Sequence, residues 1–415
     1  LVELQGVNIL SEAILAYQQS QFRLPQPPSP DVEQLKWLAQ MKTIALFWIV
    51  LNHVAEQIIM SPLSTFAYGL SWQALAIEQF ALPLDGLDRL LSPIYYLGWL
   101  GDDGVAVFLI LSGFGLTWGL LCRGTPIRFA LGPFFRKRLK KLLPLWVGCH
   151  LIFMATWLLI GWGISPYEVR SFISLLGLRV LPRHLYFFSP AWWFVPLILQ
   201  LYLIYPWLWR KFHQFGVKRT LLLAAMASAA VRAIGLGLSL KLGYNTTFWY
   251  PGTIFPVRTA EFCMGMGLAF LWFKQSDQVM AFLYRSWIGV VATLVYIFST
   301  LIALTVPGRI ISPLLSGIAA SVMLYSWLNW CNRRSQYRPL RWLSNTLVRT
   351  EKYSYSIFLV HHPIIIKFLP SGTFDIHSPQ MWMNVVIALV LTVAIAVSLQ
   401  EMLEICFAKK RMLLN

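Results

Sequence analysis

Apolar residues in this chain gather into runs of about twenty, parted by short polar segments that are mostly basic. A helix of that length crosses about 30 Å of hydrocarbon. Ten stretches qualify: 41–60, 95–121, 142–161, 191–210, 220–240, 253–273, 286–306, 312–330, 353–369 and 383–407. They predict an all-α fold, a polytopic integral membrane protein of about ten transmembrane helices. The shorter stretch 170–182 reads as a re-entrant or surface-lying element, because a crossing there would turn the six basic residues of 331–352 outward. The segment 61–94, with Trp72, Phe80, Asp85 and Asp88, reads as an interfacial cap. Residues 1–40 read as a cytosolic segment, amphipathic from Ile9 to Tyr17 and proline-rich from Pro25 to Pro30. Residues 41–407 then form one transmembrane domain, and 408–415 a cytosolic basic tail.

Composition agrees with that class. Of 415 residues, 57% are hydrophobic and 12% charged, against roughly a quarter charged in soluble domains. A disordered chain, a collagen and an ordinary cytosolic enzyme are excluded. The 34 lysines and arginines outnumber 17 acidic residues, for a net charge of +17. A nucleic-acid footprint would sit on a soluble basic face; these cations fall between apolar runs, so the expected partner is the lipid bilayer and not nucleic acid. Threaded in strict alternation, 25 of the 34 cations lie on one side and 6 on the other, with Arg232, Arg258 and Lys367 inside spans. The positive-inside rule then places both termini in the cytosol. The five cysteines are scattered without a CxxC pair and read as apolar filler.

Candidate chemistry lies with the ionisable residues at membrane depth, where a charge costs at least about 2.5–3.5 kcal/mol. Lys42 and His53 share the first helix, roughly 16 Å apart along its axis. Glu56 falls on the face of His53, where a carboxylate can orient the imidazole; a hydrogen bond to a neighbouring helix is the plain alternative for His53. At the start of the third span, Arg136, Lys137, Arg138, Lys140 and Lys141 put five cations into six residues. Such a cluster suits topology, anionic lipid, or the phosphates of a nucleotide-bearing substrate. Arg258 and Glu261 form an i,i+3 pair inside an apolar run, also a cheap structural ion pair. His361 and His362 precede the kinking Pro363. Adjacent residues on a helix diverge by about 100°, so this pair is a poor two-point ligand and no metal is expected.

Taken in order, these elements resemble one family. Lys42-x10-His53, Ser112-Gly113-Phe114 closing the run Phe108 to Leu111, Arg138-x-x-Lys141 leading to Pro144, Arg258-x-x-Glu261-Phe262 with Gly265, and Tyr355-Ser356-Ile357-Phe358-Leu359-x-His361-x-Pro363 resemble the acyltransferase-3 family of membrane O-acyltransferases. The resemblance implies transfer of an acyl group, most often acetyl from acetyl-CoA, to a hydroxyl of a carbohydrate or glycolipid acceptor. It also implies a multi-pass protein of the bacterial plasma (inner) membrane, with no permanently bound cofactor. Three departures stand out. Lys42 and Lys141 replace arginines; Ala106 stands where the family often has an acidic residue, with Asp102 and Asp103 one turn earlier; and Trp192-Trp193-Phe194 opens a segment that in many members carries carboxylates.

On this reading Lys42 and the 136–141 cluster grip the phosphates of a cytosolic acyl-CoA, and His53 receives the acyl group or deprotonates the acceptor. Arg258 polarises the acyl carbonyl or holds the acceptor, Glu261 orients it, and His361 lines the same cavity. The rival reading is a transporter or exporter of a modified glycan that uses His53, Arg258 and His361 as a pathway.

Overall fold

A computed structural model describes residues 36–59, 97–98, 100–179, 182–242, 252–303, 305–370 and 378–412. Of the segment 1–40 expected in the cytosol, residues 1–35 lie outside the described residues and 36–40 belong to the first helix; the cap expected at 61–94 also lies outside them. In chain order the helices are α1 (Lys36–Ile59), α2 (Asp103–Leu121) entered through a 3-10 turn at Leu100–Asp102, α3 (Leu131–Ile160), α4 (Val169–Leu175) and α5 (Pro182–Leu185). A 3-10 turn at Pro190–Trp193 leads into α6 (Phe194–Leu242), followed by α7 (Phe255–Leu283), α8 (Ser286–Ile302), α9 (Gly308–Arg333) and α10 (Arg338–Thr350). A last 3-10 turn, Glu351–Tyr353, opens α11 (Ser354–Phe368), and α12 (Pro379–Met412) ends the described chain.

The described chain is helical, and each of the ten apolar stretches overlaps a helix. Among the described residues six segments are long and apolar enough to cross a bilayer: Lys36–Gln57, Leu100–Leu121, Leu131–Ile160, Pro190–Lys241, Gly308–Arg333 and Pro379–Phe407. A seventh is reached if Asp277–Leu283 and Ser286–Ile302, bent by 66°, act as one span. The difference from ten has physical causes. Stretches 191–210 and 220–240 lie on one helix, broken where Gly216 takes φ 75°, a left-handed conformation that glycine adopts without strain. α11 has 15 residues and reaches only about 22 Å. α7 is diluted by Arg258, Glu261 and the polar residues around its own break at Gln275.

Within 170–182 the described helix, α4, has seven residues, about 10 Å of helix and too short to cross. Arg179, which the sequence places among outward loop cations, is fully buried there and gathers the chain around itself. Its guanidinium donates to the carbonyls of Leu185, Phe187 and Ser189 and lies over the Trp192 ring.

Two glycines explain how α2 and α7 meet. A Cβ at Gly113 would strike the carbonyl of Phe262, and one at Gly265 would strike the carbonyl of Ile110. The two backbones therefore cross at a distance only small residues allow, which fixes the depth and rotation of Arg258 and Glu261 on α7. Ser112-Gly113-Phe114 is thus a packing element, with Phe114 fully buried in the core against Trp37 and Trp272. α1 is shared by two apolar clusters: Trp37, Met41, Ala45 and Trp48 pack with α2, α6 and α7, whereas Leu46, Val50 and Val54 pack with α3, α11 and α12. Being buried from both sides fixes the rotation of α1, and with it the direction of His53.

Candidate functional site

α1 carries His53 and Glu56 one turn apart, and their side chains meet with Nδ1 to Oε2 at 2.8 Å. A carboxylate can only accept, so Nδ1 carries the hydrogen, and in the neutral ring the lone pair is at Nε2. The opposite wall is α11, whose geometry follows from Pro363. Lacking an N–H, Pro363 leaves the carbonyl of Leu359 without its helical donor. That carbonyl accepts instead from the Trp192 indole at 2.8 Å, which pins α11 to the turn before α6. The pinned helix presents His361 and His362 to α1, with ring centroids 5.2 and 4.5 Å from His53.

His361 Nδ1 donates to the carbonyl of Phe358 at 2.7 Å, which leaves Nε2 as a buried lone pair with no hydrogen-bond partner. His362 Nδ1 is also buried without one. The two rings stand at 89° to each other, the divergence expected of neighbours on a helix. What adjacency on α11 denies, a second helix supplies: one donor atom each from His53, Glu56 and His362 lie within 4.8 Å of one another. His150 shows the contrast. Its Nδ1 donates to the carbonyl of Trp146 and its Nε2 meets Ser174 Oγ, each at 2.9 Å, so both nitrogens are satisfied.

A cleft opens beside His53, lined by Ile49, Asn52, Asp102, Val105, Ala191, Trp193, Phe194 and Phe358. Elsewhere in the interior Glu261 Oε1 accepts from Arg232 at 3.1 Å and from Arg258 at 3.3 Å. All three are buried. Gly252 makes room for this arrangement, because a Cβ there would fall on the Arg258 guanidinium. Asp102 lines the cleft with His53 and is within electrostatic reach of Glu56, Arg258 and Arg232 as well. Asp103 accepts from Tyr296 at 2.8 Å and from Ser316 at 2.7 Å. Ala106, where the family often has an acid, sits against Gly317, which has no space for a Cβ.

At the other end of α1, Lys42 is not a free cation. It pairs with Glu351 at 3.0 Å, both side chains partly exposed. Lys141 is in electrostatic contact with Lys42, Glu351, Arg138 and Lys137, so α3 brings its cluster to the foot of α1. Arg138 turns inward over the Phe134 ring, while Arg136, Lys137 and Lys140 are exposed. In the Tyr355-Ser356 turn, Ser356 Oγ donates to the carbonyl of Tyr353 at 2.9 Å, and the buried Tyr355 hydroxyl has no partner.

The structure therefore brings His53, Glu56 and His361 together, pairs Arg258 with Glu261, and brings Lys141 near Lys42 at the other end of α1. Sequence reasoning missed Arg232 as the second partner of Glu261, Asp102 as a lining residue of the cleft, His362 as a neighbour of His53, and Glu351 as the partner of Lys42. Arg232 and Asp102 carried a signal, being charges at span depth; Glu351, at a span end, carried none.

Residues 35–401 match the acyltransferase-3 family, described as an acyltransferase domain. One curated relative, acyltransferase MdmB of Streptomyces mycarofaciens, is 24% identical over 296 residues, covering 66% of this chain and 70% of the relative. No solved structure matches the chain. The family match takes in α1 through most of α12, every element that builds the walls of the site, and on that extent the chain belongs to the acyltransferase-3 family.

Proposed function

We propose that this protein is a membrane O-acyltransferase that uses His53 to move an acyl group, foremost acetyl, from a cytosolic acyl-CoA to a hydroxyl of a carbohydrate or glycolipid acceptor. The observation that carries the reading is the His53–Glu56 pair: a carboxylate holds Nδ1–H and so aims the Nε2 lone pair away from itself, beside a cleft. A partly buried imidazole oriented in this way, in its neutral form, is what proton abstraction from an alcohol needs. His53 Nε2 takes the hydroxyl proton, the alkoxide oxygen attacks the thioester carbonyl, the C–S bond breaks, and CoA leaves as the thiol once the proton is returned. Arg258, held by Glu261, supplies positive charge for the carbonyl oxygen as it becomes anionic. His361, with a free Nε2, offers a second acceptor in the same wall.

The donor enters from the side of the basic cluster. Lys42, Arg138 and Lys141 bind its phosphates, with Arg136, Lys137 and Lys140 as an outer field; the pantetheine arm then runs along α1 toward His53, roughly 16 Å away. The acceptor meets aromatic walls, Trp193 and Phe194, where many relatives carry carboxylates. Such faces suit the C–H surface of a sugar ring. The reading includes cytosolic termini, residues 41–407 as one catalytic unit, and a place in a bacterial inner membrane.

His53→Ala should abolish acyl transfer while leaving the amount of folded, monodisperse protein unchanged. Substantial remaining turnover would remove His53 from the chemistry. Thermal shift with acetyl-CoA, CoA and a nucleotide control tests the donor: stabilisation by the CoA species is expected, and its absence would favour transport.

A further inference from the structure

We propose that His53, Glu56 and His362 form a binding site for a divalent transition-metal ion of the zinc class. Two imidazoles and one carboxylate are a donor set that zinc accepts, with a fourth position left for water. The donors come from two helices that other contacts fix, α1 between its two apolar clusters and α11 through the Trp192 bond to Leu359. These atoms all lie within 4.8 Å of one another, whereas donors around a tetrahedral zinc stand about 3.3 Å apart. Closing that gap takes small side-chain rotations. His362 gives the second, independent indication. It is 3% exposed, and its Nδ1 has no hydrogen-bond partner, which is costly for a buried polar atom unless something is bound there.

Binding has a definite chemistry. At His53 the ion takes the place of the Nδ1 proton now shared with Glu56, and that proton is released to solvent. An imidazole ligated at Nδ1 delivers less electron density at Nε2 and loses its carboxylate partner, so metal occupancy and acceptance of the acceptor's proton compete. Reversible inhibition of acyl transfer by zinc follows. That consequence rests on the role given to His53 above; the binding itself does not.

The test uses the full chain, free of affinity tag, in detergent micelles after chelator treatment. Cobalt(II) is titrated while its visible ligand-field absorption is recorded, and zinc is then added to displace it. Wild type should develop a saturable four-coordinate spectrum that zinc removes. Glu56→Gln and His362→Gln, both close in shape to the native side chains, should each weaken binding about tenfold or more, since even outer-shell changes cost that much. His361→Gln should retain the spectrum. A wild-type protein with no such absorption, or variants that bind as wild type does, would overturn the site. Acyl transfer assayed across the same zinc concentrations separates the two claims. Inhibition tracking cobalt displacement supports both; binding without inhibition keeps the site and removes His53 from the reaction.

Discussion

The cations at the two ends of this site live under opposite conditions. At the foot of α1, Lys42 and Glu351 keep 25% and 31% of their side-chain surface exposed. In the interior, Arg232, Arg258 and Glu261 keep 4%, 7% and 0%. An exposed pair is screened and exchanges easily with water or an incoming anion, contributing about 0–1 kcal/mol. A buried triad has lost its hydration, so each member depends on the others, and removing one strands the rest. One arrangement suits a region that must release its own ion pair to admit a charged substrate. The other suits a fixed field that does not reorganise during reaction.

Breaking the interior field should give the largest effect. Glu261→Ala leaves two buried guanidinium groups facing each other without their shared acceptor, and loss of about 3–5 kcal/mol is expected. Thermal unfolding of the purified protein, followed by tryptophan fluorescence, measures it. A Tm unchanged from wild type would mean the arginines find other partners and the triad is no structural unit. Next in size is Gly113→Ala, which forces a methyl group against the Phe262 carbonyl and should cost about 1–3 kcal/mol by prying α2 from α7. Because α7 carries Arg258 and Glu261, turnover should fall along with stability; full activity at a lowered Tm would separate helix packing from the field.

How far the sequence foretells this arrangement depends on the range of the interaction. His53 and Glu56, or Arg258 and Glu261, lie three residues apart on one helix, so spacing alone brings them together. The helices themselves follow from apolar run length, although not their count as full crossings: the break at Gly216 and the shortness of α11 are set by glycine conformation and by the ends of the chain segments, not by hydropathy. Lys42 with Glu351, Arg232 with Glu261, and His53 with His362 join residues far apart in the chain. Their meeting requires the rotation of each helix about its own axis. For α1 that rotation comes from burial on two sides, for α7 from the glycine crossing, and for α11 from Pro363 handing a carbonyl to Trp192. The last two leave marks in the local sequence, as Gly113 with Gly265 and as Pro363, but each needs a partner far along the chain, 167 residues away for Leu359 and Trp192.

The smallest stability effect belongs to the mouth, and there the comparison can be sharpened rather than broken. Lys42→Gln should change stability by no more than about 1 kcal/mol, since a part-exposed pair in water contributes little. Donor binding should respond far more, because a phosphate gains from Lys42 only what Glu351 does not already hold. Lys42→Gln is therefore expected to raise the KM for acetyl-CoA several-fold with little change in kcat, and Glu351→Gln to lower it by freeing the lysine. Both shifts should shrink as salt rises from low to physiological strength, where the screening length falls to about 8 Å. Steady-state kinetics at two ionic strengths reads all of this. If Glu351→Gln raised the KM instead, Glu351 would be positioning Lys42 for the donor rather than competing with it, and the exchange of ion pairs at the mouth would have to be given up.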